Sequence, residues 1–235
     1  MSVTRTFIFD FDSTVIAAES LDEIVRLAIE DSDRSPDQKE IAMREVEKVT
    51  DEGMNGNIDL SESIRRRLAI AAVHERHLQV FNDRLHSGVL ITAGFEQLIR
   101  RLRDAGHQVL ILSGGLKPCL EVAARIFSLP SGSVFGNECV LDGAGFITGI
   151  APDNPLGTSD GKTEVIKSLK RQKVITGHTT MIGDGISDLR PFEEGVVDDF
   201  IGFGVHKVRS QVKQKSRLFA QSMDELVNAL FPDHS

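Results

Sequence analysis

The sequence predicts an α/β fold: a doubly wound parallel sheet with a small helical domain inserted after the first strand. Three observations carry this expectation. Short, near-continuous apolar runs each end in a polar or glycine-containing signal, as strands buried on both faces of a parallel sheet do. Amphipathic helical patterns stand between those runs, which is the rhythm of βαβ units. Residues 17–86 break the alternation with helical patterns alone.

The first run is RTFIFDFDSTV, residues 5–15. Phe7-Ile8-Phe9 reads as a core strand, but Asp10 and Asp12 stand where apolar residues would continue. Strand alternation would send both side chains to one side, roughly 6–7 Å apart. Like charges that close to an apolar core repel and resist desolvation, so their presence demands an offsetting partner.

The insert contains SLDEIVRLAIED, KEIAMREVEKVTDEG and LSESIRRRLAIAAVHERHLQVFNDRLH, three helical patterns without a strand. The expected division is a core of residues 1–16 and 87–235 with a helical cap of residues 17–86. In GFEQLIRRLRDAG, Phe95, Leu98, Ile99 and Leu102 share one helical face and Gly106 stops the helix. HQVLILSGG, residues 107–115, is the second strand, followed by the helical KPCLEVAARIFSL. SVFGNECVLDGAGFITGIAPDNPLG reads as a hairpin turning near Asp142-Gly143. KTEVIKSLKRQ is helical, and HTTMIGDGISD, residues 178–188, and DFIGFG, residues 199–204, are the third and fourth strands.

Ligands of such sheets bind outside the carboxyl ends of the strands. The polar signals fall at those ends, so Asp10, Asp12, Thr14, Ser113, Gly114, Gly115, Lys162, Asp184 and Asp188 should converge on one crevice. Three carboxylates together are tolerable around a hard divalent cation such as Mg²⁺, although Mn²⁺ accepts the same ligands. The Ser113 hydroxyl, the N–H groups at Gly114-Gly115 and the Lys162 ammonium are donors suited to a phosphate. A carboxylate aimed at that phosphorus can act as nucleophile, and a second can move the leaving-group proton.

Composition narrows the class. The chain has 235 residues, 40% hydrophobic and 26% charged, with net charge -8, within the soluble globular range. The acidic balance argues against a nucleic-acid binder without excluding a small anion. No signal-peptide pattern or membrane-length apolar run is seen. Cys119 and Cys139 lack metal-type spacing and read as free thiols in a reducing compartment. The expectation is a cytoplasmic protein acting on a small molecule, with no nucleic-acid or membrane partner and a homodimer left open.

DFDSTV, SGG, GK and GDGISD, in that order, resemble the four motifs of the haloacid dehalogenase-like phosphohydrolases. The likeness extends to the phosphoserine phosphatase family, through SIRRRLA in the insert and DFIGFGVHKVRSQVKQ near the C-terminus. It implies a Rossmann-like core and an Mg²⁺-dependent hydrolysis of phosphoserine through an aspartyl phosphate. It further implies Asp10 as nucleophile and metal ligand, and Asp12 as acid/base with its carbonyl on the metal. Ser113 and Gly114, with Gly115 beside them, would bind phosphate, and Lys162 would neutralise charge. Asp184 would be the remaining metal ligand, with Asp188 and Thr14 supporting from a second layer. Glu19 would take the substrate ammonium, Arg67 its carboxylate, and Met54 and Ser187 would line the pocket. Leu60, Leu116, Ser187, Ala17 and Ala18 depart from the family's usual residues, which bears on the substrate more than on the chemistry.

Plainer readings exist for each residue. Asp10 and Asp12 could form a strand-end turn, Asp184 and Asp188 could cap a helix, and Ser113-Gly114-Gly115 could be an ordinary βα turn. Lys162 could be a solvated lysine, Arg67 part of a solvated basic run with Arg65 and Arg66, and Glu19 a helix N-terminal charge. His74 and His77 are spaced like a metal pair but lack a third ligand. Three rival functions stand beside the leading one: a phosphatase of another small phosphomonoester, a receiver-like phospho-acceptor switch, and a phosphate-binding relative without catalysis.

Overall fold

The computed structural model describes residues 4–54 and 57–231, the Met54 side chain excepted. In chain order, β1 (Thr6–Phe9) leads through a tight turn over residues 11–15 into α1 (Ser20–Asp31), α2 (Pro36–Met54), α3 (Leu60–Ala71), α4 (Glu75–His86) and α5 (Phe95–Asp104). Then come β2 (Gln108–Leu116), α6 (Lys117–Ile126), β3 (Val134–Asn137), β4 (Cys139–Leu141) and β5 (Ile147–Ile150). The chain closes with α7 (Gly161–Arg171), β6 (Thr179–Gly183), α8 (Ile186–Glu193), β7 (Asp199–Phe203), α9 (Ser210–Lys215), β8 (Leu218–Ala220) and α10 (Met223–Leu230).

Six strands form one parallel sheet in the order β3-β2-β1-β6-β7-β8. Strand alternation divides the core between its two faces. Phe7 and Phe9 pack with Val109, Ile111, Phe95 and Ile99 on one side, the Phe9 and Phe95 rings edge to face at 5.1 Å. Ile8 packs with Leu110, Leu112, Ile166, Met181 and Leu189 on the other. This double burial explains the near-continuous apolar runs. The chain leaves β1 toward β2 on one side and later returns to β6 on the other, so the strand order reverses beside β1. The crevice outside the carboxyl ends at such a reversal is the natural ligand site.

The structure departs from the sequence reading in three places. The strand ends at Phe9, so alternation does not align Asp10 with Asp12. Asp10 remains extended, and the turn beyond it, with Ser13 at φ 53°, aims Asp12 into the same cavity. The third helical pattern is two helices. Ala72 closes α3 in the left-handed conformation, and the His74 and His77 side chains accept from backbone N–H groups at the start of α4. The histidine pair is therefore a cap. Finally, SVFGN supplies β3 of the main sheet, and only β4 and β5 form the hairpin. Its loop is longer than a two-residue turn: Asp142 accepts from Ala144 and Phe146 N–H groups.

Candidate active site

A cavity of about 710 Å³ lies between the carboxyl ends of the sheet and helices α1–α3. Its lining brings together Asp10, Asp12, Glu19, Leu60, Arg67, Ser113, Gly114, Gly115, Leu116, Lys162, Asp184, Ser187 and Asp188. Thr14 is buried but is not in that lining; its carbonyl accepts from the Thr92 hydroxyl at 2.7 Å, which anchors the turn after β1. Met54 ends α2, and its side chain lies outside the described residues.

The floor is a network of buried charges. Lys162, at the start of α7, donates to Asp10 Oδ1 at 2.6 Å and to Asp188 Oδ1 at 2.5 Å. Asp188 Oδ2 accepts from the Gly185 N–H at 2.9 Å, capping α8 while holding the lysine. Arg209, in the segment after β7, donates to Asp184 Oδ2 at 2.9 Å. Gly183 makes room for this arrangement: a Cβ there would lie 2.4 Å from Asp188 Cγ.

Such packing shifts the protonation of Asp10, Asp12, Asp184 and Asp188 in one direction, upward. Burial, then the Asp188 charge, raises Asp10 to about 7 against the pull of Lys162. Burial, then Glu19 and Asp10, raises Asp12 to about 8, with the Ser20 N–H opposing at 2.8 Å. Burial and Asp10 raise Asp184 to about 6 against Arg209. Lys162 stays charged: burial disfavours its ammonium, but Asp10 and Asp188 more than compensate. Oxygens of Asp10, Asp184 and Asp188 lie within 4.8 Å of one another, a spacing that suits one divalent cation. The raised carboxylates signal a shortage of positive charge that such an ion would relieve.

Above the floor, the carboxyl end of β2 presents Ser113, Gly114 and Gly115. The Ser113 Oγ accepts from the Gly115 N–H at 3.0 Å, and Asn137 ties down the Gly114 carbonyl at 2.8 Å. A Cβ on Gly115 would stand within 3.4 Å of Ser113 Oγ, Asp12 Oδ2 and Ser20 Oγ, so this backbone passes close to the acid side chains.

The roof comes from the helical insert. Of the basic run on α3, Arg65 and Arg66 pair with Glu62 on the outer surface, whereas Arg67 is buried and faces the cavity, donating to Asp22 Oδ1 at 2.9 Å. Glu19 Oε1 accepts from the Ser13 hydroxyl at 2.8 Å and from Lys207 at 3.2 Å. Despite its partial burial, these partners lower the Glu19 carboxyl below its ordinary value. Lys207 and Arg209 were not anticipated from the sequence. Their signal was the basic pair following GFG, at the same sheet end as the other polar loops.

Comparison with known proteins was decisive for the family. The model of the haloacid dehalogenase-like hydrolases matches residues 7–193. A phosphoserine phosphatase of Bos taurus is 31% identical over 94% of this chain and 91% of its own. The chain belongs to the haloacid dehalogenase-like hydrolases, in their phosphoserine phosphatase family. A human phosphoserine phosphatase is 30% identical over the same shares. Among solved structures, a phosphoserine phosphohydrolase-like protein from Francisella tularensis superimposes with TM-score 0.82 at 28% identity, covering 97% of this chain and all of the other. This hydrolase sets its acidic cluster at the carboxyl ends of its parallel sheet. Among the described residues, no helix is long and apolar enough to cross a membrane.

Proposed function

We propose that the chain hydrolyses O-phospho-L-serine to L-serine and phosphate through a phosphorylated Asp10. The observation that carries this reading is the placement of Glu19 and Arg67 in one cavity with the buried aspartates and Lys162. A phosphate, an ammonium and a carboxylate would each meet a group of opposite charge or a donor there.

In the first step, an Asp10 oxygen attacks phosphorus while Lys162 steadies both the carboxylate and the transferring group. The bond from phosphorus to the serine oxygen breaks, and that oxygen takes the proton of Asp12. Burial, with the Glu19 and Asp10 charges beside it, favours the protonated form of Asp12 that this role needs. In the second step, ionised Asp12 takes a proton from water, the water oxygen attacks phosphorus, and phosphate leaves with Asp10 restored. The Ser113 hydroxyl and the Gly114 N–H hold the phosphate oxygens, with Gly115, whose N–H donates to Ser113 Oγ, orienting that hydroxyl and Ser187 at the cavity wall. Mg²⁺, held by Asp10, the Asp12 carbonyl and Asp184, would neutralise charge on the transferring phosphoryl group. Asp188, with both oxygens already engaged by Lys162 and Gly185, orients the lysine instead.

The helical segment of residues 17–86 acts in this reading as a cap domain. It carries the recognition groups and shelters the phosphorylated aspartate from water until serine has left.

The test is phosphate release from L-phosphoserine beside a panel of sugar and nucleoside phosphates, with Mg²⁺ and with EDTA. The expected result is a preference for phosphoserine that EDTA abolishes. Metal-dependent release from the other esters with poor use of phosphoserine would sink the substrate while leaving the chemistry; Leu60 and Leu116 in the wall would then mark a pocket shaped for another ester.

A further inference from the structure

The two recognition charges are already paired inside the cavity. Arg67 is held by Asp22 and Glu19 by Lys207. In each pair the partner is the more exposed member: the Asp22 side chain is 49% exposed against 10% for Arg67, and Lys207 42% against 35% for Glu19. All four line the cavity. A substrate end bearing one ammonium and one carboxylate offers the same two charges that Lys207 and Asp22 supply.

Lys207 is the sharper case. It lies in the segment after β7, 188 positions from Glu19 in sequence, and reaches it across the cavity on a flexible stem. Glu19 Oε1 already accepts from both Lys207 and Ser13, which together match its two lone pairs. An incoming ammonium therefore meets a like charge beside Glu19, and it can take Oε1 only by displacing one of the two donors already there.

We propose that Lys207 is a placeholder cation that occupies Glu19 until the substrate ammonium displaces it, which makes Lys207 a specificity-determining residue. The inference rests on the reading that the substrate is an amino-acid phosphoester. Lys207 keeps Glu19 ionised and aimed into the cavity when no substrate is present, and being half exposed it can swing to solvent when displaced. Its competition lowers the advantage that an amine-bearing ester holds over one lacking the amine.

The experiment compares kcat/KM for phosphoserine with that for 3-phosphonooxypropanoate, which keeps the phosphate and carboxylate but has no amine, in the wild type, Lys207→Met and Lys207→Arg. Long-range attraction of Lys207 for phosphate acts on both esters and cancels in the ratio. The expected result is that Lys207→Met raises the ratio about two- to fivefold, the span of a half-exposed ion pair, while Lys207→Arg leaves it near the wild-type value. An unchanged ratio in Lys207→Met overturns the inference, and so does a lower one, which would make Lys207 a support that Glu19 needs. A wild-type ratio near one would sink the amino-acid reading and this inference together, whereas a high wild-type ratio that ignores Lys207→Met sinks the inference alone.

Discussion

At the floor of the cavity Lys162 grips Asp10 and Asp188 with all three side chains buried, whereas at the roof Arg67 and Glu19 are held by the half-exposed Asp22 and Lys207. The floor partners belong to elements fixed by the sheet: the end of β1, the start of α7 and the start of α8. Removing one would strand a buried charge. The roof partners come from the insert and the segment after β7, and solvent can replace either. Under the proposed roles, the contrast means that the fold would hold its chemistry rigidly and its substrate recognition exchangeably. Variants that break the floor should therefore harm every ester alike, and variants of the roof should act on selected esters.

The largest effect is expected at Asp10. Asp10→Asn keeps the shape but has no nucleophilic oxygen, so kcat should fall by about 10⁴-fold or more on all esters, read by steady-state phosphate release. Substantial remaining activity would rule out the phosphorylated aspartate. Next comes Gly183→Ala, whose added Cβ would collide with the Asp188 side chain. Displacing Asp188 loosens Lys162, so kcat should fall about 10- to 100-fold, as expected when a catalytic group shifts by an ångström. An effect confined to phosphoserine would place Asp188 outside the shared machinery.

A smaller effect concerns pH. Asp10, Asp12 and Asp184 sit at about 7, 8 and 6 in the metal-free fold, all above the ordinary carboxylate value of 3.8. Their protonated forms are favoured by folding, so the associated stability is present below that ordinary value and is lost as pH rises through about 6 to 8. A divalent cation relieves the repulsion that then appears and competes with protons for the ligands. The upward shift of Tm caused by Mg²⁺ should thus grow between pH 5.5 and pH 8 by about a few degrees, measured by thermal denaturation. A shift independent of pH would mean that the carboxylates do not hold the ion.

This division also explains what the sequence disclosed. The strands β1, β2, β6 and β7 were legible because burial on both faces demands unbroken apolar runs, and the polar groups closing them were legible because strand ends converge. Edge strands β3 and β8 were not, since VFGN and LFA are too short to stand out. The break between α3 and α4 rests on one left-handed residue, Ala72, which has no glycine to announce it. Arg67 could be separated from Arg65 and Arg66 only by a family resemblance, because a run of three arginines does not say which one turns inward. Lys207 and Asp22 were invisible as partners, because pairing across a cavity depends on the fold that closes it.

The most direct test of the division between floor and roof is Arg67→Ala, measured as kcat/KM on phosphoserine and on p-nitrophenyl phosphate, which has no carboxylate. Losing a buried, charge-assisted contact to the substrate should lower kcat/KM for phosphoserine by about 10- to 100-fold. The value for p-nitrophenyl phosphate should stay within about threefold of the wild type, because that ester carries no carboxylate for Arg67 to hold. An equal fall on both esters would show that the roof belongs to the catalytic machinery and would contradict the account.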